Sequence, residues 1–149
     1  MRRKRLNRDR CGVARALDAV GDWWTLLIVR EAMLGATRFD EFQARLGASR
    51  NALSSRLERL TELGLMERFA LTEGGLRQGY RLTEAGRDLS AVMVALRLWG
   101  DRWIKPEASE AELVDGEDGA PLAGLQAVTA EGRVVPRARI ALRPRLKPP

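Results

Sequence analysis

The chain has 149 residues, a net charge of +6, no histidine and one cysteine. That length supports one compact domain with extensions rather than two large domains. One thiol excludes an internal disulfide, and without histidine the chain cannot build a zinc site from nitrogen and sulfur ligands or use histidine in catalysis. No apolar run of about 18 residues appears, and no apolar segment follows the basic N-terminus, so we expect a cytoplasmic protein without a membrane span.

The positive charge is concentrated at the two ends of the chain. Residues 1–10 carry a net charge of +5 and residues 133–149 carry +6, whereas residues 11–104 sum to +1 and residues 105–132 to −6. The high pI therefore does not by itself show that the central region binds nucleic acid. The basic ends fit either arms that add nonspecific phosphate affinity or tails that keep the protein in solution.

Hydrophobic spacing predicts four helices in the first half of the chain. A short helix over 13–20 precedes an apolar helix that begins after Asp22, a candidate N-cap, and ends at Gly35. A third, short helix ends at Gly47, and Ser49 caps a fourth. The fourth helix carries one stripe of leucines, made up of Leu53, Leu57, Leu60 and Leu63.

The segments that follow predict a hairpin and one long helix. Residues 65–71 and 79–83 alternate in polarity and flank the glycine-containing stretch 72–78, which predicts two antiparallel strands. Residues 82–103 return to helical spacing, and their apolar face is wider than a small core requires. The order of elements is that of a winged helix-turn-helix, a mainly α fold with a small β-hairpin wing.

The fourth helix carries polar residues opposite its leucines, where a recognition helix would enter a DNA major groove. Arginine and asparagine suit bidentate reading of guanine and adenine edges, and serine permits close approach. The candidate base-reading residues are Arg50, Asn51, Ser54 and Ser55. Phosphate contacts are expected from Arg38, Ser49, Arg59 and Arg77. The polar face of this helix taken alone is equally compatible with an ordinary solvated surface, and each of Arg38, Arg59 and Arg77 taken singly fits an ordinary solvated arginine better than a phosphate contact.

Several motifs fall in register with a known family. They are Cys-x-Val-Ala-Arg from Cys11, Trp-Thr-Leu-Leu-Ile from Trp24, Arg38-Phe39, Asn51-x-Leu53-Ser54-x-Arg56-Leu57, Gly64-Leu65, and Tyr-Arg-Leu-Thr-x-x-Gly from Tyr80. From Cys11 to Trp103 the chain resembles the HxlR-type transcriptional regulators, a MarR-related winged-helix family. The resemblance implies a homodimer that pairs through its first and last helices and binds a near-palindromic operator in double-stranded DNA, more often as a repressor. The wing keeps Arg77 but lacks the glutamate common in the family, so the operator sequence is not predicted.

Cys11 occupies the position at which some family members carry a thiol that senses oxidants or electrophiles. A helix N-terminus beside Arg10 and Arg15 would favour a thiolate there. The alternative is a small, partly buried residue at the dimer seam. A small-molecule effector is also compatible with the resemblance, and its identity is not predicted.

After Trp103 the composition becomes rich in glycine, proline and charge. We therefore predict a basic arm over 1–10, a DNA-binding and dimerisation domain over 11–104, and a C-terminal extension over 105–149. Residues 122–128 and 133–142 predict the strands of a short hairpin. The extension also resembles the tails of longer family members in which histidine and cysteine form a metal knuckle. Both residue types are missing here around 118–120 and 130–132, so we expect no metal and no cofactor.

Two other classes of function compete with DNA binding. A winged helix could use the polar face over 49–59 to bind a partner protein, in which case DNA affinity would show weak salt dependence and no sequence preference. A thiol enzyme built on Cys11 is disfavoured because the chain has no histidine to act as its base. The sequence favours a DNA-binding transcriptional regulator over both.

Overall fold

The computed structural model describes residues 11–104 and 111–143. The chain forms two compact units that divide between Met93 and Val94, inside a helix. The predicted basic arm over 1–10 lies outside the described residues. The predicted division at residue 104 stays a prediction.

The first four elements are helices, and side-chain caps hold the N-termini of two of them. The four helices are α1 (Gly12–Val20), α2 (Trp23–Met33), α3 (Phe39–Leu46) and α4 (Arg50–Glu62). The predicted caps are confirmed, because Asp22 Oδ1 accepts a hydrogen bond from Trp24 N at 2.8 Å and Ser49 Oγ accepts one from Ala52 N at 3.4 Å. Gly47 adopts the left-handed conformation, with φ of 60°, that ends α3 and turns the chain into α4.

The predicted wing is confirmed as an antiparallel hairpin of β1 (Met66–Ala70) and β2 (Gln78–Leu82). It is tied to the loop before α3, because Tyr80 N donates a hydrogen bond to Thr37 O at 2.7 Å. A Cβ atom at Gly79 would lie 2.9 Å from the same carbonyl oxygen, so this approach requires glycine. The wing is thereby held against the helix-turn-helix.

The prediction of one long helix over 82–103 is wrong, because two helices occupy this stretch. They are α5 (Glu84–Asp88) and α6 (Ser90–Trp103). Leu89 separates them: its amide donates to Gly86 O, three residues back, at 3.3 Å, which interrupts the α-helical hydrogen-bond ladder. The Leu89 side chain packs against the core. Packing of Leu89 on the core therefore outweighs the hydrogen bonds of one continuous helix.

The core of the first unit joins α2, α3, α4 and the wing. Its fully buried large side chains are Ile28, Val29, Phe42, Leu53, Leu57, Leu60 and Met66. The carboxylate of Glu31 is buried beside them and accepts hydrogen bonds from Arg30 Nε at 2.9 Å and Nη2 at 2.5 Å. Arg45 Nη1 lies 3.7 Å from the second Glu31 oxygen, so a charge on α2 is paired from both α2 and α3.

The C-terminal extension contains a hairpin that is shorter than predicted. β3 (Ala127–Val128) pairs antiparallel with β4 (Val134–Val135). The prediction of a strand over 133–142 is wrong beyond β4, since residues 137–139 form a 3-10 turn. Pro136 follows β4 and has no N–H group to continue the ladder.

None of the helices in the described residues is long and apolar enough to cross a membrane. No three acidic, cysteine or histidine side chains in this part of the chain are arranged to hold a metal ion.

Candidate nucleic-acid interface

The predicted base-reading residues share the solvent side of α4. All four, Arg50, Asn51, Ser54 and Ser55, are exposed. The opposite side carries Leu53, Leu57 and Leu60, which are at most 1% exposed. This division follows from the 3.6-residue period of the helix. The leucines hold α4 to the body and leave a polar face of the kind that enters a major groove.

Arg50 is held at the junction of α3 and α4. Its guanidinium carbon lies 5.1 Å from the centroid of the Phe39 ring, within the range of a cation–π contact. Ser49, directly before it, uses its hydroxyl oxygen in the 3.4 Å cap to Ala52 N. Because that bond is long and uses only the oxygen lone pair, the hydroxyl proton of Ser49 can still be donated to a phosphate.

Neighbouring residues connect the wing to the start of α4. β2 contacts Thr37 through the Tyr80 amide, Arg38 follows Thr37, and the next residue is Phe39, which contacts Arg50. Arg38 and Arg77 are both exposed, the second in the loop between β1 and β2. The structure therefore links three of the predicted contact regions: the wing, the start of α3 and the start of α4.

Arg59 lies at the far end of α4. It is nine residues after Arg50, so it lies roughly 13 Å further along the helix axis. Its Nη1 atom is 3.6 Å from Glu62 Oε2, and both side chains are exposed. Exposed ion pairs are weak, so Glu62 leaves Arg59 able to contact a phosphate. That phosphate would differ from the one near Arg38.

Arg56 has a structural role that its place in the sequence motif did not reveal. Its Nη2 atom lies 3.5 Å from Asp22 Oδ2 and its guanidinium carbon 5.7 Å from the Trp24 ring. The Nε atom is buried and has no hydrogen-bond partner in the part of the chain that the structure describes. Asp22 thus caps α2 and also contacts the middle of α4. The available signal was the position of Arg56 directly before Leu57, at the edge of the leucine stripe.

Glu41 is a second residue whose role was not predicted from the sequence. Its Oε2 atom accepts hydrogen bonds from Arg38 N at 3.0 Å and from Thr37 N at 2.9 Å. These two bonds lower the pKa of the Glu41 carboxyl below its ordinary value, and the bond from Arg38 N has the larger effect. The carboxylate therefore fixes the backbone that carries Arg38. A glutamate at the third helical position is the signal that could have revealed it.

Acidification is expected to weaken this attachment. Because the pKa of Glu41 is lower in the folded chain, its stabilising contribution is complete above the ordinary value of 4.5 and is lost as the pH falls through the folded value. Denaturant unfolding should therefore show that the free energy of unfolding falls less between about pH 6 and about pH 3 for Glu41→Gln than for the natural chain. Glu58→Gln, on the exposed side of α4, is the matched control. An unchanged pH dependence in Glu41→Gln would contradict this role.

Cys11 lies on a different element from the base-reading residues. It is exposed and is the N-cap of α1, where its carbonyl oxygen accepts a hydrogen bond from Arg15 N at 3.1 Å. α1 contacts α2. The predicted sensing residue therefore belongs to a helix that joins the structure through α2.

A helix-turn-helix with a docked antiparallel wing and a polar recognition-helix face defines the winged-helix class of transcriptional regulators. Residues 19–108 match the HxlR-like helix-turn-helix family, and the chain belongs to that family. Its relatives are DNA-binding transcriptional regulators rather than enzymes. The resemblance found in the sequence and the predicted fold are both confirmed.

One relative and two solved proteins illustrate the likeness. The uncharacterized HTH-type transcriptional regulator MT3179 of Mycobacterium tuberculosis (strain CDC 1551 / Oshkosh) is 50% identical over 102 residues, which are 68% of this chain and 65% of MT3179. The match therefore spans slightly less than two thirds of that relative. The crystal structure of PA1607, a candidate transcription factor, is similar with a TM-score of 0.79 and 40% identity, over 92% of this chain and 96% of PA1607.

The second solved protein is the transcriptional regulator YodB from Bacillus subtilis. Its reduced form has a TM-score of 0.56 and 31% identity, over 66% of this chain and 98% of YodB. YodB is also known in a diamide-treated form, with a TM-score of 0.52 and 32% identity, and in a quinone-bound form, with a TM-score of 0.53 and 30% identity. Each of these two forms covers 62% of this chain, and the matches span 94% and 99% of YodB.

Proposed function

We propose that this protein is a cytoplasmic, sequence-specific repressor that binds a near-palindromic operator as a homodimer. The observation that carries the proposal is the exposed polar side of α4, with its opposite side buried in the core. Each copy would insert one α4 into the major groove of a half-site, with half-sites roughly 34–36 Å apart. The bound dimer would block access to a promoter, and a signal that changes the spacing of the two α4 helices would release it.

Exposed apolar side chains on α1 and α6 support pairing of two copies. On α1, Val13 and Leu17 are 60% and 50% exposed. On α6 the exposed apolar residues are Val92, Leu96, Trp99 and Trp103. Burying apolar surface stabilises a complex by roughly 25 cal/mol for each Å² removed from water. These side chains therefore favour contact with another chain. The partner we infer is a second copy.

Selection from a library of random-sequence duplexes, followed by fluorescence anisotropy, tests this function. We expect enrichment of a near-palindromic sequence, two chains bound for each selected duplex, and much weaker binding to a scrambled duplex of equal length. Equal and steeply salt-dependent binding to both duplexes would show nonspecific attraction to the basic ends. No binding to either duplex at moderate salt would favour the protein-interaction alternative.

Arg77→Ala is expected to weaken binding to every DNA sequence by a similar factor. An arginine in the wing loop that contacts phosphate contributes attraction without reading bases, so its removal should reduce the salt slope of log K by about 1. Anisotropy titrations over a salt series measure this effect on selected and scrambled duplexes. Arg102→Ala, which removes an exposed arginine from α6, is the charge-matched control. A loss confined to the selected duplex would instead assign Arg77 to base reading.

We also propose that Cys11 makes operator binding sensitive to thiol oxidants. Its exposure at the N-cap of α1 and the existence of diamide-treated YodB support this. Two Cys11 thiols would each lose a proton and an electron to diamide, forming one intersubunit disulfide and the reduced hydrazine. Diamide should lower operator affinity for the natural chain and leave Cys11→Ser unaffected, and non-reducing electrophoresis should show the linked dimer. An identical response in both proteins would refute the sensor role.

A further inference from the structure

We propose that Phe39 is a positioning residue that orients the Arg50 guanidinium for reading one guanine in the operator. This inference rests on the proposed function and deepens it. Its basis is the placement of the Arg50 guanidinium over the Phe39 ring, with 5.1 Å between the guanidinium carbon and the ring centroid. A ring belonging to α3 therefore constrains the first side chain of the recognition helix.

The contact leaves the hydrogen-bonding edge of Arg50 available when the guanidinium lies flat on the Phe39 ring. In that flat orientation the N–H donors point outward in the plane of the guanidinium. Those in-plane donors make the bidentate contact with guanine O6 and N7. Arg50 is exposed, and no carboxylate within the described residues pairs with it. By contrast, Arg56 and Arg59 each lie close to an acidic side chain.

Phe39 itself has little freedom to move. It is the first residue of α3, and its half-buried side chain packs against the core. The preceding residue, Arg38, has its amide held by the Glu41 carboxylate at 3.0 Å. A fixed ring restricts the many rotamers of a free arginine before DNA arrives, which reduces the ordering cost of binding. Base preference at one position therefore depends on a residue that is not itself among the predicted base-reading residues.

The test uses the full chain and the selected operator with each of the four base pairs at the position that Arg50→Ala affects most. Phe39→Leu keeps an apolar side chain but removes the aromatic face, and Phe39→Tyr keeps that face. We expect Phe39→Leu to reduce the preference for guanine at this position by about 2- to 10-fold. Preferences at other positions and affinity for scrambled DNA should not change. Phe39→Tyr should retain the preference for guanine. Adding Phe39→Leu to Arg50→Ala should cause no further loss of that preference.

Other results would overturn the inference in ways that can be told apart. Equal loss at every operator position in Phe39→Leu, or full additivity with Arg50→Ala, would make Phe39 a packing residue only. Chemical unfolding checks that each variant is folded, and Phe39→Met replaces Phe39→Leu if the leucine variant does not fold. A natural chain without any base preference would refute the proposed function itself, and the role of Phe39 with it.

Discussion

Asn51→Ala is expected to weaken binding to the selected operator by roughly 5- to 150-fold and to relax base preference at one position. Asn51 is exposed in the first turn of α4. Its amide offers one donor and one acceptor in the arrangement that matches adenine N7 and N6, and alanine offers neither. A buried contact of this kind leaves an unsatisfied base edge when it is lost. The measurement is anisotropy against the operator and its single-base variants.

The controls separate base reading from a general loss of affinity. Binding of Asn51→Ala to scrambled DNA should match that of the natural chain, because a base reader contributes little to nonspecific attraction. Gln126→Ala removes the same type of amide from the exposed C-terminal extension and should leave operator binding unchanged. Equal losses on operator and scrambled DNA would remove Asn51 from the base-reading residues.

Leu57→Ala is expected to lower the free energy of unfolding by about 2–5 kcal/mol. Leu57 is 0% exposed and belongs to the cluster that fixes α4 against the body. Truncation removes its apolar contacts and leaves a cavity that the surrounding side chains fill only in part. Denaturant unfolding monitored by circular dichroism gives the change directly.

Ser54→Ala is the matched control for this prediction. It lies on the exposed side of the same helix, and its effect on stability should stay within about 0.5 kcal/mol. DNA binding by Leu57→Ala should fall with the folded fraction, to the same extent for operator and scrambled duplexes. A change in stability below about 1 kcal/mol would show that Leu57 is not packed in the core as described.

The local features of the fold were predictable because their causes lie within a few residues. Asp22 and Ser49 were identified as caps since an N-cap side chain bonds an amide two or three residues ahead. The leucine spacing predicted the buried face of α4, and the four candidate base-reading residues are exposed on its other side. Their contacts with bases remain predictions.

The predicted elements were wrong where core packing, at Leu89, or a proline, at Pro136, interrupted a repeating pattern. The apolar spacing over 82–103 is continuous, yet the Leu89 amide bonds Gly86 and divides the stretch into α5 and α6. The spacing also did not show which apolar residues of this stretch are buried. In the structure Leu89 and Met93 pack on the core, whereas Val92 stays exposed.

The sequence by itself determined the first four helices, the wing, the leucine stripe and the polar face of α4, because periodicity and capping depend on near neighbours. Only the tertiary structure revealed the contacts between distant residues. These are Phe39 with Arg50, Asp22 with Arg56, and Thr37 with Tyr80. Such pairs depend on how turns direct whole helices and strands toward one another, and residue spacing does not encode that direction.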